Sequence, residues 1–445
     1  MMYNVVVAAL LCCYCLSYSY GQDTTASHFN ASTVPDSLFV VGNILITGNS
    51  QTKDFVVLRE MSLREGTRIT QRQLEYDRNR IYSLGLFNQV EIGVMPGADS
   101  VAMLVVTVHE RWYIFPYPIF GLKDRDWSKV FYGVGIVHNN FLGRNEKIYA
   151  SCIFGFDPSV RLTYRNPSLS NDGSYFLIAS VGYATIRNRS LVAQTGNSNF
   201  DERHVSAGMT IGRRLGLTHN LWLSASYEVV QVSDYQPGRT ITLDGNDRFP
   251  IAGVGYAYDT RDLFEYPSTG TLAQVTMTKY GIPGNAIDFV RYATDLREYV
   301  SVTSKIVIQG RLFGDIVAAG PTPSYNRVYF GYGERIRGHF TEVIEGEHLA
   351  GASLETHYSV FPAHYFKVGF LPEQFSVWRF GISAAAFADA GTAWFRGQPF
   401  ALDSFTKGYG FGLHFLLPYS AVIRIEYAWN EARRGEFIFD LGAAF

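Results

Sequence analysis

Ile423-Arg424-Ile425-Glu426-Tyr427-Ala428-Trp429 alternates strictly. Two isoleucines, a tyrosine and a tryptophan hold one parity; Arg424, Glu426 and Ala428 hold the other. Residues 436–445 repeat the pattern: Phe437, Phe439, Leu441, Ala443 and Phe445 interleave with Glu436, Ile438, Asp440, Gly442 and Ala444. Period two marks a strand whose two faces meet different surroundings. In a soluble sandwich the aromatic face is the core and the charged face is the outside. A membrane barrel reverses this: the aromatic face touches lipid and the charged face lines a wet interior. Locally the two geometries read alike.

Composition favours the barrel. After residue 22 no run approaches the ~18 consecutive apolar residues of a membrane helix. Yet hydrophobic residues make up 47% of the chain and aromatics 15%, with 42 glycines. Abundant Tyr and Phe with few charges and no apolar helix fit a membrane β-barrel. The net charge of −2 gives no electrostatic footprint for nucleic acid. From Trp112 to the end the chain reads as strands and turns. Residues 112–445, at about 20 residues per strand with its connection, give about 16 strands, the even number that closure demands.

The chain begins differently. Residues 1–21 read as a signal peptide: an apolar core over 5–16, then Ser19 and Gly21 as the small residues before a cut at Gln22, although no Lys or Arg precedes the core. Cys12, Cys13 and Cys15 lie in this segment, so the mature chain keeps only Cys152, which forms no internal disulfide. Residues 22–37 are polar and read as a flexible leader. Residues 38–110 have the grammar of a small α/β domain in the order β-α-α-β-β. Thr52 is placed to cap a short helix. Thr70 with Gln73 makes a capping box, and Leu74, Ile81 and Leu84 share one face of the helix that follows.

Several strings together resemble one family. Tyr82-Ser83-Leu84-Gly85-Leu86-Phe87 is similar to the end of the second helix of a polypeptide-transport-associated (POTRA) domain. Asn140-Phe141-Leu142-Gly143-Arg144 resembles the turn after a first barrel strand, and Tyr258-Asp259-Thr260-Arg261-Asp262 a mid-barrel hairpin. The most specific signal is a trio: Arg335-Ile336-Arg337-Gly338-His339, Ser353-Leu354-Glu355, and Phe387-Ala388-Asp389-Ala390-Gly391. These resemble the BamA- and TamA-like outer-membrane insertase superfamily, also called bacterial surface antigen proteins. The resemblance implies a barrel in the Gram-negative outer membrane with one POTRA domain, 38–110, in the periplasm. It also implies a loop folded into the lumen, with Arg337 paired to Glu355 and Asp389 and with Ile336, Gly338 and His339 beside it. His339 departs from the family's usual Phe or Tyr.

A guanidinium fork suits bidentate carboxylate pairing, so such a lock has a clear physical basis. The barrel is expected to close between a first strand near 130–137 and a last strand over 435–445. Gly133, Gly135, Gly442 and Phe445 then mark a short, weak lateral seam, and a terminal aromatic is common in such barrels. The resemblance makes the chain an insertion factor for unfolded outer-membrane protein clients, with periplasmic chaperones or accessory lipoproteins as further partners and the lipid bilayer as its medium. A dedicated secretion pore, as in two-partner secretion, and a specialised single-client or lipid-handling relative remain alternatives. Nothing in the sequence suggests an enzyme. His138, His204, His219 and His357 show no zinc spacing, and no GxSxG or GxxxxGK[ST] string occurs, so no cofactor or metal is expected.

Overall fold

The computed structural model describes residues 39–123, 127–170, 173–194, 199–340, 342–372 and 376–442. The expected signal peptide, the leader and Phe445 lie outside these residues.

The N-terminal domain runs β1 (Val40–Thr47), α1 (Asp54–Leu58), α2 (Gln71–Ser83), β2 (Phe87–Pro96) and β3 (Val101–Glu110). Its sheet has the order β1-β3-β2, with β1 parallel and β2 antiparallel to β3. Val56, Val57, Ile81, Leu86, Leu104 and Val106 form its buried core. The Thr70 hydroxyl accepts the Gln73 amide at 3.3 Å, the expected N-cap bond. Thr52 does not cap α1: Lys53 holds that position without a side-chain cap. Instead the Thr52 hydroxyl lies 3.0 Å from the Tyr113 hydroxyl and accepts from Asn140 Nδ2 at 2.9 Å, tying this domain to the barrel.

The other described residues form mainly β-strands. The elements are β4 (Ile114–Leu122), β5 (Val130–Phe141), β6 (Glu146–Gly155), β7 (Ser159–Asn166), β8 (Tyr175–Arg187), β9 (Asp201–Leu215) and β10 (His219–Val232). They continue as β11 (Asn246–Asp259), β12 (Gly270–Gly281), β13 (Asp288–Ser301), β14 (Ile306–Ala318), β15 (Val328–Phe330), β16 (Ile344–Gly346) and β17 (His348–Lys367), and end with β18 (Val377–Trp394), β19 (Thr406–Leu417), β20 (Ala421–Asn430) and β21 (Gly435–Leu441). All but β15 and β16 form one 16-stranded sheet in chain order, with β4 at one end and β21 at the other. Each adjacent pair is antiparallel. The small pair β15–β16 belongs to the long connection between β14 and β17.

Exposure decides between sandwich and barrel. On β20 and β21, Phe437 and Phe439 are 57% and 54% exposed, while Glu426 on the opposite face is 1% exposed. Val134, Leu223, Leu312, Leu354 and Phe411 are likewise exposed on other strands. Large apolar groups outside and ionised groups inside invert the soluble pattern and match a lipid-facing wall around a polar interior. The sheet is a transmembrane β-barrel.

One hairpin is longer than the others. β17 has 20 residues and β18 has 18. β14 pairs with β17 only as far as Tyr358, so residues 359–367 run beyond the neighbouring strand. This extension carries exposed Val360, Phe361, Tyr365 and Phe366, and it reaches the N-terminal domain where Tyr365 meets the Tyr82 ring edge-on at 6.3 Å.

Candidate functional site

The loop between β14 and β17 turns inward and carries the buried charge of Arg337. Arg337 is 6% exposed. Its Nε and Nη2 donate to the two oxygens of Asp389 at 2.7 and 2.9 Å, a bidentate fork. Nη1 donates to Glu355 and, at 3.0 Å, to Glu426. The guanidinium also stacks on the Phe387 ring, 3.5 Å from its centroid. Glu355 and Asp389 lie on β17 and β18, and their register follows from the pairing of Ser353 with Asp389. The resemblance names two acids; the third, Glu426, projects inward from β20. Its parity in the alternating run marks it as lumen-facing, but nothing local says which lumen cation it meets.

The neighbours of Arg337 fix its position. Ile336 is buried against Phe330 and Leu349. Gly338 has a φ of +99°, and an added Cβ would stand 2.6 Å from the Trp429 carbonyl oxygen. Glycine is the residue that accepts both conditions. The backbone N–H groups of Gly338 and Phe340 donate to Glu436 on β21, at 2.8 and 3.0 Å. His339 is a polar clip rather than an apolar wedge: its ring nitrogens meet Glu342 at 2.8 Å and Glu431 at 2.7 Å. The aromatic wedge is one residue later. Phe340 packs against Phe387, Ala428 and Ile438. A second ion cluster of opposite sense holds the loop's other side, where loop residue Glu334 accepts from Arg311 of β14 at 3.0 and 3.1 Å. Sequence reasoning did not single out Glu334, Phe340, Glu426 or Glu436.

The seam differs from the expectation. The first barrel strand is β4, not the segment near 130–137. Gly133 and Gly135 lie on β5, hydrogen-bonded in ladders on both sides, opposite Ile119 and Tyr117 of β4 and opposite Ile153 and Ser151 of β6. Their role is steric: a Cβ on Gly135 would stand 2.2 Å from the Tyr117 ring. By the same shift, the turn at residues 140–144 follows the second barrel strand. It bonds to the N-terminal domain through the Lys53 N–H, which donates to the Gly143 carbonyl at 2.9 Å. The early strand was missed because β4 reads Ile-Phe-Pro-Tyr-Pro-Ile-Phe-Gly-Leu, and two prolines argue against a strand interior. Proline survives in a sheet at an edge, where its missing N–H faces away from the neighbour. Gly442 lies at the end of β21 and donates to Val422 of β20 at 2.8 Å. Among the described residues β4 and β21 share no ladder.

The N-terminal domain is docked against the barrel by a buried acid. Glu60 accepts from Arg214 of β9 in bidentate fashion at 2.7 and 3.0 Å, and from Arg80 of its own domain at 2.8 Å. Burial alone pushes this carboxyl up. The facing guanidinium groups, Arg214 foremost with Arg80 and Arg59, overcome that and hold it at about 2. Arg379 of β18 lies over the Tyr82 ring of that domain and is held from the barrel side by Glu265, in the β11–β12 connection, at 2.9 Å.

Comparison with known proteins agrees with this architecture. Residues 140–445 match the Omp85 superfamily domain, and residues 39–111 match the surface antigen variable number repeat, the POTRA model. Two relatives are each described as outer membrane protein assembly factor BamA. The one from Nitratidesulfovibrio vulgaris strain Hildenborough is 23% identical over 312 residues, 67% of this chain and 37% of the relative. The one from Neisseria meningitidis serogroup B is 23% identical over 291 residues, 60% of this chain and 35% of the relative. The chain thus spans little more than a third of the length of the curated relatives it matches. Among solved structures, BamA from Haemophilus ducreyi lacking POTRA domains 1–3 superposes with a TM-score of 0.53 at 17% identity, covering 91% of this chain and 84% of that one. CdiB from Escherichia coli gives 0.57 at 12% identity, covering 92% and 77%. These two likenesses show the fold. With the family model covering the barrel from residue 140 to its last residue and a POTRA domain ahead of it, the chain belongs to the Omp85 superfamily.

Proposed function

We propose that this protein inserts or assembles other outer-membrane proteins, with its POTRA domain in the periplasm and its barrel seam as the template. The observation that carries the reading is the seam between β4 and β21. These strands have nine and seven residues and no ladder joins them among the described residues. A strand edge in lipid has no water to satisfy its N–H and C=O groups, so an incoming client strand gains the full value of pairing there. The POTRA sheet supplies a second edge for an extended client segment, through β-augmentation at β1 or β2. The clients are unfolded outer-membrane proteins; chaperones or accessory lipoproteins deliver them. Folding of the client supplies the free energy, and no catalysis by this chain is involved.

The relatives described as BamA support this reading over a secretion pore, and the CdiB likeness keeps the pore as the competing outcome. A disulfide placed between β4 and β21 separates them. The stapled protein, reconstituted in vesicles, is expected to fold and conduct ions but to insert no client barrel until reduced. Equal client insertion with and without reductant would remove the seam from the mechanism.

A further inference from the structure

Below the Arg337 lock the fold gathers a second set of groups. Glu355 and His357 from β17 and His414 from β19 each offer one ligand atom, all within 4.8 Å of one another, and all three residues are buried. The whole of β18 and two connections separate these histidines in the sequence, so no motif spacing announces them. We propose that Glu355, His357 and His414 form a binding site for a single divalent transition-metal ion, with zinc the best fit.

Four observations support the assignment. First, donor chemistry: two imidazoles and a carboxylate are a zinc-type set, with room left for a water or a fourth ligand. Second, orientation. His414 Nδ1 bonds the Tyr266 hydroxyl at 3.0 Å, which turns Nε2 toward the acids, 3.2 Å from Glu426. Tyr266 also stacks on the His357 ring at 4.7 Å with an 11° tilt. Outer groups that fix imidazole orientation are typical of metal sites.

Third, close approach. His357 Nε2 meets Glu355 Oε1, while Gln309 Nε2 donates to Glu355 at 2.9 Å and lies 3.2 Å from His357 Nε2. Either the Nε2–H of a neutral imidazole or a metal ion bridges the histidine and the acid. His357 Nδ1, on a residue 5% exposed, has no hydrogen-bond partner among the described residues.

Fourth, charge. The connected ions are Glu355, Asp389, Glu426 and Asp440 against Arg337 and Arg424. Three of these carboxylates are buried and Asp440, with a side chain 27% exposed, is not, so the buried set holds one more carboxylate than guanidinium groups. A bound cation offsets that excess. A route exists too: His357 and Tyr266 line a cavity of about 520 Å³ that also touches Arg78, Asn79 and Tyr82 of the POTRA domain. An ion arriving from that side meets His357 without crossing the lock.

The competing arrangement is a neutral imidazole whose Nε2–H donates to the carboxylate in place of the metal. The test uses the full chain carrying no histidine tag, purified in detergent and stripped with chelator. Titration with Zn²⁺ alone is expected to show a single saturable equivalent per chain, and Co²⁺ alone to give the visible absorption of a low-symmetry site that Zn²⁺ then bleaches. His357→Gln and His414→Gln are expected to lose that equivalent, Tyr266→Phe to weaken binding about 10–100-fold, and His219→Gln to leave it unchanged. Retention of the heat-sensitive gel mobility of a folded barrel shows that a variant is intact. No saturable Zn²⁺ uptake and no Co²⁺ spectrum in the wild-type chain would overturn the proposal in favour of the imidazole–carboxylate hydrogen bond, whether or not the variants fold. Undiminished binding by folded His414→Gln would overturn it as well. None of these readouts depends on client insertion.

Discussion

At the scale of residues, Arg337 meets three carboxylates while only 6% exposed. Its removal leaves Glu355 and Asp389 with no guanidinium partner, while Glu426 keeps Arg424, and breaking such a pair costs roughly 3–5 kcal/mol when it is fully buried. Arg337→Ala is therefore expected to lower the fraction of barrel that keeps its folded gel mobility, and to lower the melting temperature. Arg337→Lys should restore little of this, because an ammonium has no fork with which to hold both Asp389 oxygens and the Glu355–Glu426 pair. Unchanged heat resistance in Arg337→Ala would remove the lock from the account of stability. The loop's dependence on close approach is visible at a neighbour too: a Cβ on Gly408 would stand 1.7 Å from the Arg337 carbonyl oxygen.

At the scale of elements, β4 and the lumen loop matter most. Proline donates nothing to a ladder, so Pro116 and Pro118 limit how fully a nine-residue strand can pair on its free edge. Replacing both with threonine is expected to lengthen the hydrogen-bonded seam to β21, to raise the temperature at which the barrel opens, and to slow client insertion. Measured insertion that is equal or faster in the double variant would show that the prolines do not set the seam's strength. On the other side of the seam, β21 is held by the lumen loop through Glu436, which accepts from Gly338 and Phe340. Lock and seam thus share one strand. The long β17–β18 hairpin reaches past the barrel wall to contact the POTRA domain, with Tyr365 edge-on to the Tyr82 ring and Arg379 over the same ring.

At the scale of the whole molecule, two domains are joined by a buried charge. Only Arg214 of the three guanidinium groups around Glu60 comes from the barrel; Arg59 and Arg80 stay with the POTRA domain. Because the docked carboxyl titrates at about 2, below its ordinary value of 4.5, its contribution is fully present above pH 4.5 and is lost as the pH falls toward 2. Docking is thus expected to be unchanged between pH 7 and pH 5 and to weaken only below the ordinary carboxylate range. Arg214→Ala is expected to weaken it at neutral pH by about 2 kcal/mol, the scale of a lost charged hydrogen bond. Cross-linking between Thr52→Cys and Asn140→Cys, followed against pH, reads both. Loss of the cross-link between pH 7 and pH 5 would show that another group controls the interface.

Alternation in residues 421–445, aromatic content and the length of residues 112–445 pointed from sequence alone to a barrel of about 16 strands behind one small α/β domain, and exposure in the structure excluded the sandwich. They work because strand parity is local: each residue carries its own face. The Arg337, Glu355 and Asp389 strings were legible for a similar reason, since each sits in a short motif. Only the tertiary structure decided which strand comes first, that Phe340 rather than His339 is the wedge, that Glu426 and Glu436 complete the loop's anchorage, and that His357 and His414 converge. Those facts depend on register between strands distant in the chain. Register is set by the closure of the whole sheet, and no single segment records it.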